Sequence, residues 1–242
     1  SLVIFAIPLI ISNVFQQLYN TADIMIVGHY LGDTSLAAIG ASTVIFELLV
    51  GFTLGFGNGL SIVVARNFGS GNKEAIKKSV ALSLIIGLSI TIIITIGSRF
   101  FLYPLLKALK TPELILNESY VYISTITLFI VVMFGYNLCA GLLRAIGNSF
   151  APLVFLVISS LLNIVLAIFF IAHMKMGING AAIATAIAQG ISVILCLFYI
   201  KKNIKARKNK KHNTYFIYFF YLYTPLNNDT VTLSKYISLG IA

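Results

Sequence analysis

Tryptophan is absent from these 242 residues, cysteine occurs twice, and charged side chains make up only 10% of the chain. Each shortage excludes something. Cys139 and Cys196 both lie inside apolar stretches, so they supply neither a disulfide framework nor a CxxC metal site, and they read as packing residues. So few charges, set against 59% hydrophobic residues and a mean hydropathy of +0.97, exclude a soluble globular domain. Without tryptophan the interfacial aromatic role passes to tyrosine: Tyr19, Tyr30, Tyr103, Tyr120, Tyr122 and Tyr199 all fall near the ends of apolar runs.

The runs themselves extend over 2–27, 36–65, 79–106, 120–143, 150–172 and 177–200. Each exceeds the roughly 20 residues that a helix needs to cross the hydrocarbon core of a bilayer. The expectation is an all-α polytopic membrane protein with six transmembrane helices over residues 1–200. A strand barrel is excluded because the runs are continuously apolar and lack period-two alternation. A cleaved secretory signal fits the first run poorly, since the run is too long and has no basic n-region. Residues 201–232 read as a basic and aromatic linker; its stretch 215–223 is too short to span and is followed by Pro225, so an interfacial segment and a buried connector both fit.

Cations fix the expected orientation. With the N-terminus inside, the inner loops and tail hold Arg66, Lys73, Lys77, Lys78, Arg144, Lys201, Lys202, Lys205, Arg207, Lys208, Lys210 and Lys211, whereas the outer loops hold only Arg99, Lys107, Lys110 and Lys175. Positive-inside bias therefore places the N-terminus and the linker in the cytoplasm of a cell with this protein in its plasma membrane. The same bias accounts for most of the net charge of +10, so nucleic acid need not be invoked as a partner. The cluster 201–211 can meet anionic lipid headgroups or simply be solvated.

Against this background one acid stands out. Asp23 sits in the first apolar run together with Asn13, Gln16, Gln17 and Asn20. At about 100° per residue these five occupy an arc of roughly 120°. Lipid cannot satisfy a polar stripe, so it is expected to face a protein interior or a water-filled cavity, where an ionisable side chain marks a candidate ion or substrate site. From residue 2 to 65 there is no Lys or Arg, nor in any other run's deep part. An ionised Asp23 thus has no fixed cationic partner and must bind a proton, bind a metal cation or stay wet. Glu47 is the second intramembrane acid, near the middle of the second run on a face with Thr43, Gly51 and Asn58. It fits a cavity residue meeting a cationic substrate, and equally a protonated group bonding across helices.

Small residues suggest close packing. Gly51, Gly55 and Gly59 form overlapping GxxxG spacings, and Gly177, Gly180, Ala181, Ala184 and Ala188 line the sixth run. The stretch 55–59 (GFGNG) is not a nucleotide loop, because no strand precedes it. Pro8 can kink the first helix, whereas Pro152 suits the first turn of the fifth.

Four stretches together resemble one family. Residues 20–28 (NTADIMIVG) followed by Leu36, Ala37 and Ala38, the loop 65–72 (ARNFGSGN), the stretch 141–149 (GLLRAIGNS) with Pro152, and 176–189 (MGINGAAIATAIAQ) occur in the order found in MATE (multidrug and toxic compound extrusion) transporters. The resemblance implies one six-helix lobe of a twelve-helix, two-lobe antiporter, with residues 233–242 as the start of a seventh helix and a C-terminal lobe still missing. It implies export of amphiphilic, cationic drugs or toxic compounds, driven by sodium or protons, with no cofactor and no catalytic residue. It also implies that Asp23 is the coupling carboxylate, with Tyr122, Asn137, Asn163 and Thr185 around it. In the family's proton-linked, DNA-damage-inducible branch a second aspartate follows the helix-five Asn by four residues; here Ala167 stands there. A sodium site with Asp23 as sole anionic ligand and neutral oxygens from Asn163, Asn137 and Thr185 is chemically reasonable, since hard cations prefer oxygen.

Rival readings fare less well on the residues. A lipid-linked oligosaccharide flippase of the same superfamily is expected to hold Arg or Lys for a pyrophosphate, and these runs have none. A membrane enzyme would need a nucleophile with a base at useful spacing; His29 and Asp33 form HxxxD, one residue short of an acyltransferase motif. A non-transporting helical interaction protein would need no cation-dependent behaviour.

Overall fold

The computed structural model describes residues 2–207, and those residues are helical almost throughout. The expected linker beyond Arg207, its aromatic stretch and the start of a seventh helix lie outside the described residues. In chain order the elements are α1 (Leu2–Leu31), α2 (Asp33–Gly69), α3 (Lys73–Ala108), α4 (Glu113–Leu128), α5 (Ile130–Ala145), α6 (Phe150–Ile168), a π-helical turn (Phe169–His173) and α7 (Ile178–Arg207). Helix α7 runs past position 200, so residues 201–207 are helical.

Local chemistry sets the boundaries. Asn72 caps α3, its side-chain oxygen accepting from the backbone N–H groups of Glu74 and Ala75 at 3.1 Å each. Between α5 and α6, Gly147 takes a φ of +84°, a conformation that side chains with a Cβ resist. Asn148 follows: its Oδ1 accepts from Ala151 N at 3.1 Å and its Nδ2 donates to the Tyr199 hydroxyl at 2.8 Å. The start of α6 is thereby tied to the far end of α7.

The fourth apolar run is not one straight helix. It begins at Glu113, breaks at Phe129 and bends by 48° between α4 and α5. Neither Pro nor Gly marks the break. Hydroxyls from α3 support it, Thr95 donating to the Thr127 carbonyl at 3.1 Å and Ser98 to the Thr127 hydroxyl at 3.2 Å.

Among the described residues four helices are long and apolar enough to cross a membrane, or five spans if the bent pair counts as one. Helix α1 has 30 residues and reaches roughly 45 Å at about 1.5 Å per residue, so its length also suffices for a crossing, with Asn13, Gln16, Gln17, Asn20 and Asp23 as its polar stripe.

Packing differs from the sequence expectation at the glycines. A Cβ added at Gly51, Gly55 or Gly59 would meet nothing within 4 Å, so these three are not a packing seam. The seam uses other positions: a Cβ at Gly57 would lie 3.1 Å from Asn137 Cβ, and one at Gly141 would lie 2.8 Å from Ser61 Cβ. These two glycines bring α2 and α5 together side by side. On α7 the expectation holds for Ala181, Ala184 and Ala188, all fully buried, and for Gly180 against Phe170, whereas Gly177 has open space.

Candidate functional site

Asp23 projects from the last third of α1 into the corner where α1, α6 and α7 meet, and only 8% of it is exposed. One turn earlier, Tyr19 donates its hydroxyl hydrogen to Thr185 Oγ1 at 3.2 Å. Tyr122 of α4 is buried, and it and Tyr19 both lie close enough to Asp23 to feel its charge. Asn163 of α6 is fully buried and donates its amide to the same Thr185 oxygen at 3.1 Å. Four of the five residues expected around the coupling carboxylate, Asp23 included, thus come together.

Thr185 occupies the centre in an unexpected way. A threonine hydroxyl offers one hydrogen and two lone pairs. Its oxygen accepts from Tyr19 and from Asn163, and its hydrogen goes to the Ala181 carbonyl at 3.1 Å. In this conformation the hydroxyl is saturated. Thr185 is the hub that fixes Tyr19 and Asn163, not a free ligand.

What remains unsatisfied is of one kind. Asp23 Oδ1, Asn163 Oδ1 and Gln189 Oε1 are buried without a hydrogen-bond partner, and they are the three such side-chain atoms among the described residues. Because Asn163 spends its NH₂ on Thr185, its carbonyl oxygen is left pointing elsewhere. A buried acceptor without a donor costs about 1–3 kcal/mol. Three of them in helices without a single Lys or Arg from 149 to 172 or from 177 to 200 make an environment suited to a hard cation or to donor molecules such as water. No three His, Cys, Asp or Glu side chains come together among the described residues, so the donor set is not that of a transition-metal centre.

Other expected residues go elsewhere. Asn137 lies about four helical turns beyond Tyr122 along the bent span, roughly 20 Å away at about 5.4 Å per turn. It packs on Gly57 and donates to the Met133 carbonyl at 2.9 Å. It is not part of the Asp23 cluster. The polar stripe of α1 divides: Gln16 and Asn20 are partly buried toward the lobe, whereas Asn13 and Gln17 are exposed. Glu47 is exposed on the open face of α2 with Gly51 and Asn58, apart from Asp23. Ala167, one turn beyond Asn163, is fully buried against the small residues of α7.

The sequence reading does not include Tyr19 in the cluster; it reads as an interfacial tyrosine, although it sits four residues before Asp23 on the same face. Gln189, four residues after Thr185, lies outside the cluster and carries the third unpartnered oxygen.

Residues 8–169 match the MatE family model. The probable multidrug resistance protein YpnP of Bacillus subtilis is 31% identical over 202 residues, covering 84% of this chain and 45% of that protein. YoeA of the same organism, also described as a probable multidrug resistance protein, is 31% identical over 206 residues, covering 84% and 44%. The crystal structure of a MATE protein in the bent conformation superposes with a TM-score of 0.77 at 26% identity, covering 89% of this chain and 49% of that one. The chain spans a little under half the length of these curated relatives.

Proposed function

The chain belongs to the MATE family of membrane transporters, and from that premise we propose that it forms one lobe of a cation-coupled antiporter exporting amphiphilic cationic compounds. The observation that carries this reading is the buried Asp23 oxygen without a donor, in a lobe where the buried Asn163 oxygen is equally unpartnered and both residues connect to Thr185, Asn163 directly and Asp23 through its neighbour Tyr19. A carboxylate in that position is stabilised when it holds a cation and destabilised when it does not. An antiporter needs this difference, because the bound ion then biases one conformation over the other. Tyr19, Asn163 and Thr185 keep the site in shape, and Tyr122 closes it from α4. Sodium fits the neutral oxygens better than a proton does, since an amide oxygen can coordinate a metal cation but holds no proton near neutral pH. Ala167 points the same way by withholding a second acid.

Substrate specificity follows from charge. The open faces of α1 and α2 present Asn13, Gln17 and Glu47 with no basic residue from 2 to 65, which favours cationic over anionic cargo; Asn58, farther along α2, is occupied by Arg144, which donates to it at 2.9 Å. Alternating access requires a second lobe across from these faces. The protein lies in the plasma membrane with its N-terminus and basic tail in the cytoplasm, as the Lys and Arg distribution supports. Single cysteines test this: an impermeant reagent is expected to label position 33 and spare position 70 in intact cells, and the reverse pattern overturns the orientation.

Efflux of a fluorescent organic cation tests the function, with sodium and proton gradients imposed in turn on cells producing the two-lobe transporter. Gradient-driven efflux that disappears in Asp23→Asn at equal membrane abundance is expected. Undiminished efflux by that variant removes Asp23 from the mechanism.

A further inference from the structure

The third unpartnered oxygen, on Gln189, is not explained by the cluster around Asp23. Helices α6 and α7 run antiparallel, and their register is fixed at two points. Asn163 meets Thr185, and Ser192 donates to the Phe155 carbonyl at 3.0 Å. Gln189 falls midway between these points, at the level of Ser159, which is itself buried. On α1, Tyr19 meets Thr185; Gln16, one turn before Tyr19 and partly buried, therefore shares the level of Gln189. Gln16, Ser159 and Gln189 make a second polar tier, one helical turn from Thr185 on the side away from Asp23.

This tier has a definite chemistry. It contains no carboxylate, no base and no positive charge. Ser160, next to it, is satisfied by its own helix, donating to the Leu156 carbonyl at 2.8 Å. The Gln189 carbonyl oxygen has no donor. A neutral oxygen held bare in an apolar bundle is complementary to a partly dehydrated cation, and an amide oxygen carries no proton at neutral pH.

We propose that Gln189 is a second oxygen ligand on the path of the coupling sodium ion, receiving it from Asp23 and Asn163 as it moves along α7 past Thr185. The inference rests on the reading of Asp23 as the coupling site and adds a position to it. Thr185 fits between the two tiers as the fixed divider, since its hydroxyl is saturated. Gln189 stabilises the bound ion by replacing part of its hydration shell, so the one ion shared between the two positions is held more tightly overall.

Radioactive sodium binding to the purified 242-residue protein in detergent, with choline replacing sodium at constant ionic strength, provides the test. Wild type is expected to bind sodium saturably, and Asp23→Asn to lose it. Gln189→Met keeps the length and removes the oxygen; it is expected to weaken binding about tenfold with an unchanged number of sites. Its thermal midpoint in sodium-free buffer should be equal to or above that of wild type, because an unpaired buried acceptor is gone. Gln189→Glu adds charge to the same oxygen and is expected to tighten binding, so the test survives if the methionine variant does not fold. Methionine and glutamate variants whose curves overlay wild type overturn the role of Gln189 while leaving Asp23 in place. A methionine variant that loses sites at unchanged affinity shows a folding role only, and overturns it too. Absence of saturable sodium binding in wild type overturns the inference, and proton-driven efflux then decides whether the Asp23 reading stands. An Asp23→Asn protein that binds like wild type removes both.

Discussion

The corner between α1, α6 and α7 and the seam between α2 and α5 both carry polar side chains at membrane depth, but they satisfy them by different means. Along the seam the buried groups turn back on their own helix, and the bond that crosses it, from Arg144 to Asn58 at 2.9 Å, lies at an exposed position. Thr53 donates to the Val50 carbonyl at 2.9 Å, Ser61 to Asn58 at 2.7 Å, and Asn137 to Met133 at 2.9 Å. These local bonds leave the helix surfaces smooth, and Gly57 and Gly141 let the backbones close. In the corner the bonds run between helices, from Tyr19 and Asn163 to Thr185, and they leave acceptor oxygens bare. Polar groups that answer only to their own backbone are packing elements. Polar groups oriented by another helix, with an oxygen left over, keep an acceptor free for a cation or a donor molecule.

The sharpest way to break this distinction is to exchange charge for shape in the corner. Asp23→Asn is expected to lower gradient-driven efflux of a fluorescent cation at least tenfold at matched abundance, whereas Asn137→Ser at the seam should retain most of it. Equal losses would erase the difference between the two regions.

Next in size is the hub. Thr185→Val leaves the Tyr19 hydroxyl and the Asn163 amide without their shared acceptor, at a cost of about 1–3 kcal/mol for groups so buried. Cation dependence of transport should weaken, and Thr185→Ser should restore it, since serine keeps the hydroxyl. Failure of serine to rescue would mean that the methyl group, not the hydrogen bonds, matters there.

The seam should respond to volume instead. In Gly141→Ala the new methyl would sit 2.8 Å from Ser61 Cβ, and overpacking of this kind costs about 1–3 kcal/mol. A lower thermal midpoint is expected, with unchanged sodium affinity in the folded fraction. An altered affinity would couple the seam to the corner.

The smallest effect belongs to the open face of α2. Gly55→Ala meets nothing within 4 Å, and the gain in helix propensity is up to about 1 kcal/mol. Stability of the 242-residue protein should therefore stay level or rise. A clear loss would reveal a surface already covering that face.

Some of this was decided by composition alone. Long apolar runs with few charges leave a chain no option but helices in lipid, because only a helix satisfies its backbone within one segment. Asp23 was legible for the same reason: an acid in an apolar helix without Lys or Arg nearby is conspicuous anywhere. The loop residues Asn72, Gly147 and Asn148 were legible as motifs, and their capping bonds and positive φ explain why those residue types stand there.

The rest needed the tertiary structure. Lipid and protein interior are both apolar, so hydropathy cannot tell a side chain that faces acyl chains from one that faces another helix. That is why Gly51, Gly55 and Gly59 had the spacing of a seam while Gly57 and Gly141 formed it, and why Glu47 could be placed on a face but not assigned a neighbour. The break at Phe129 has no Pro or Gly to announce it, and it depends on hydroxyls donated from α3. Asn137 and Asn163 are the same residue type in similar apolar surroundings, yet one bonds to its own helix and the other reaches across to Thr185. Sequence set the inventory of polar groups, and the crossing of α1, α6 and α7 determined which oxygens were left without a donor.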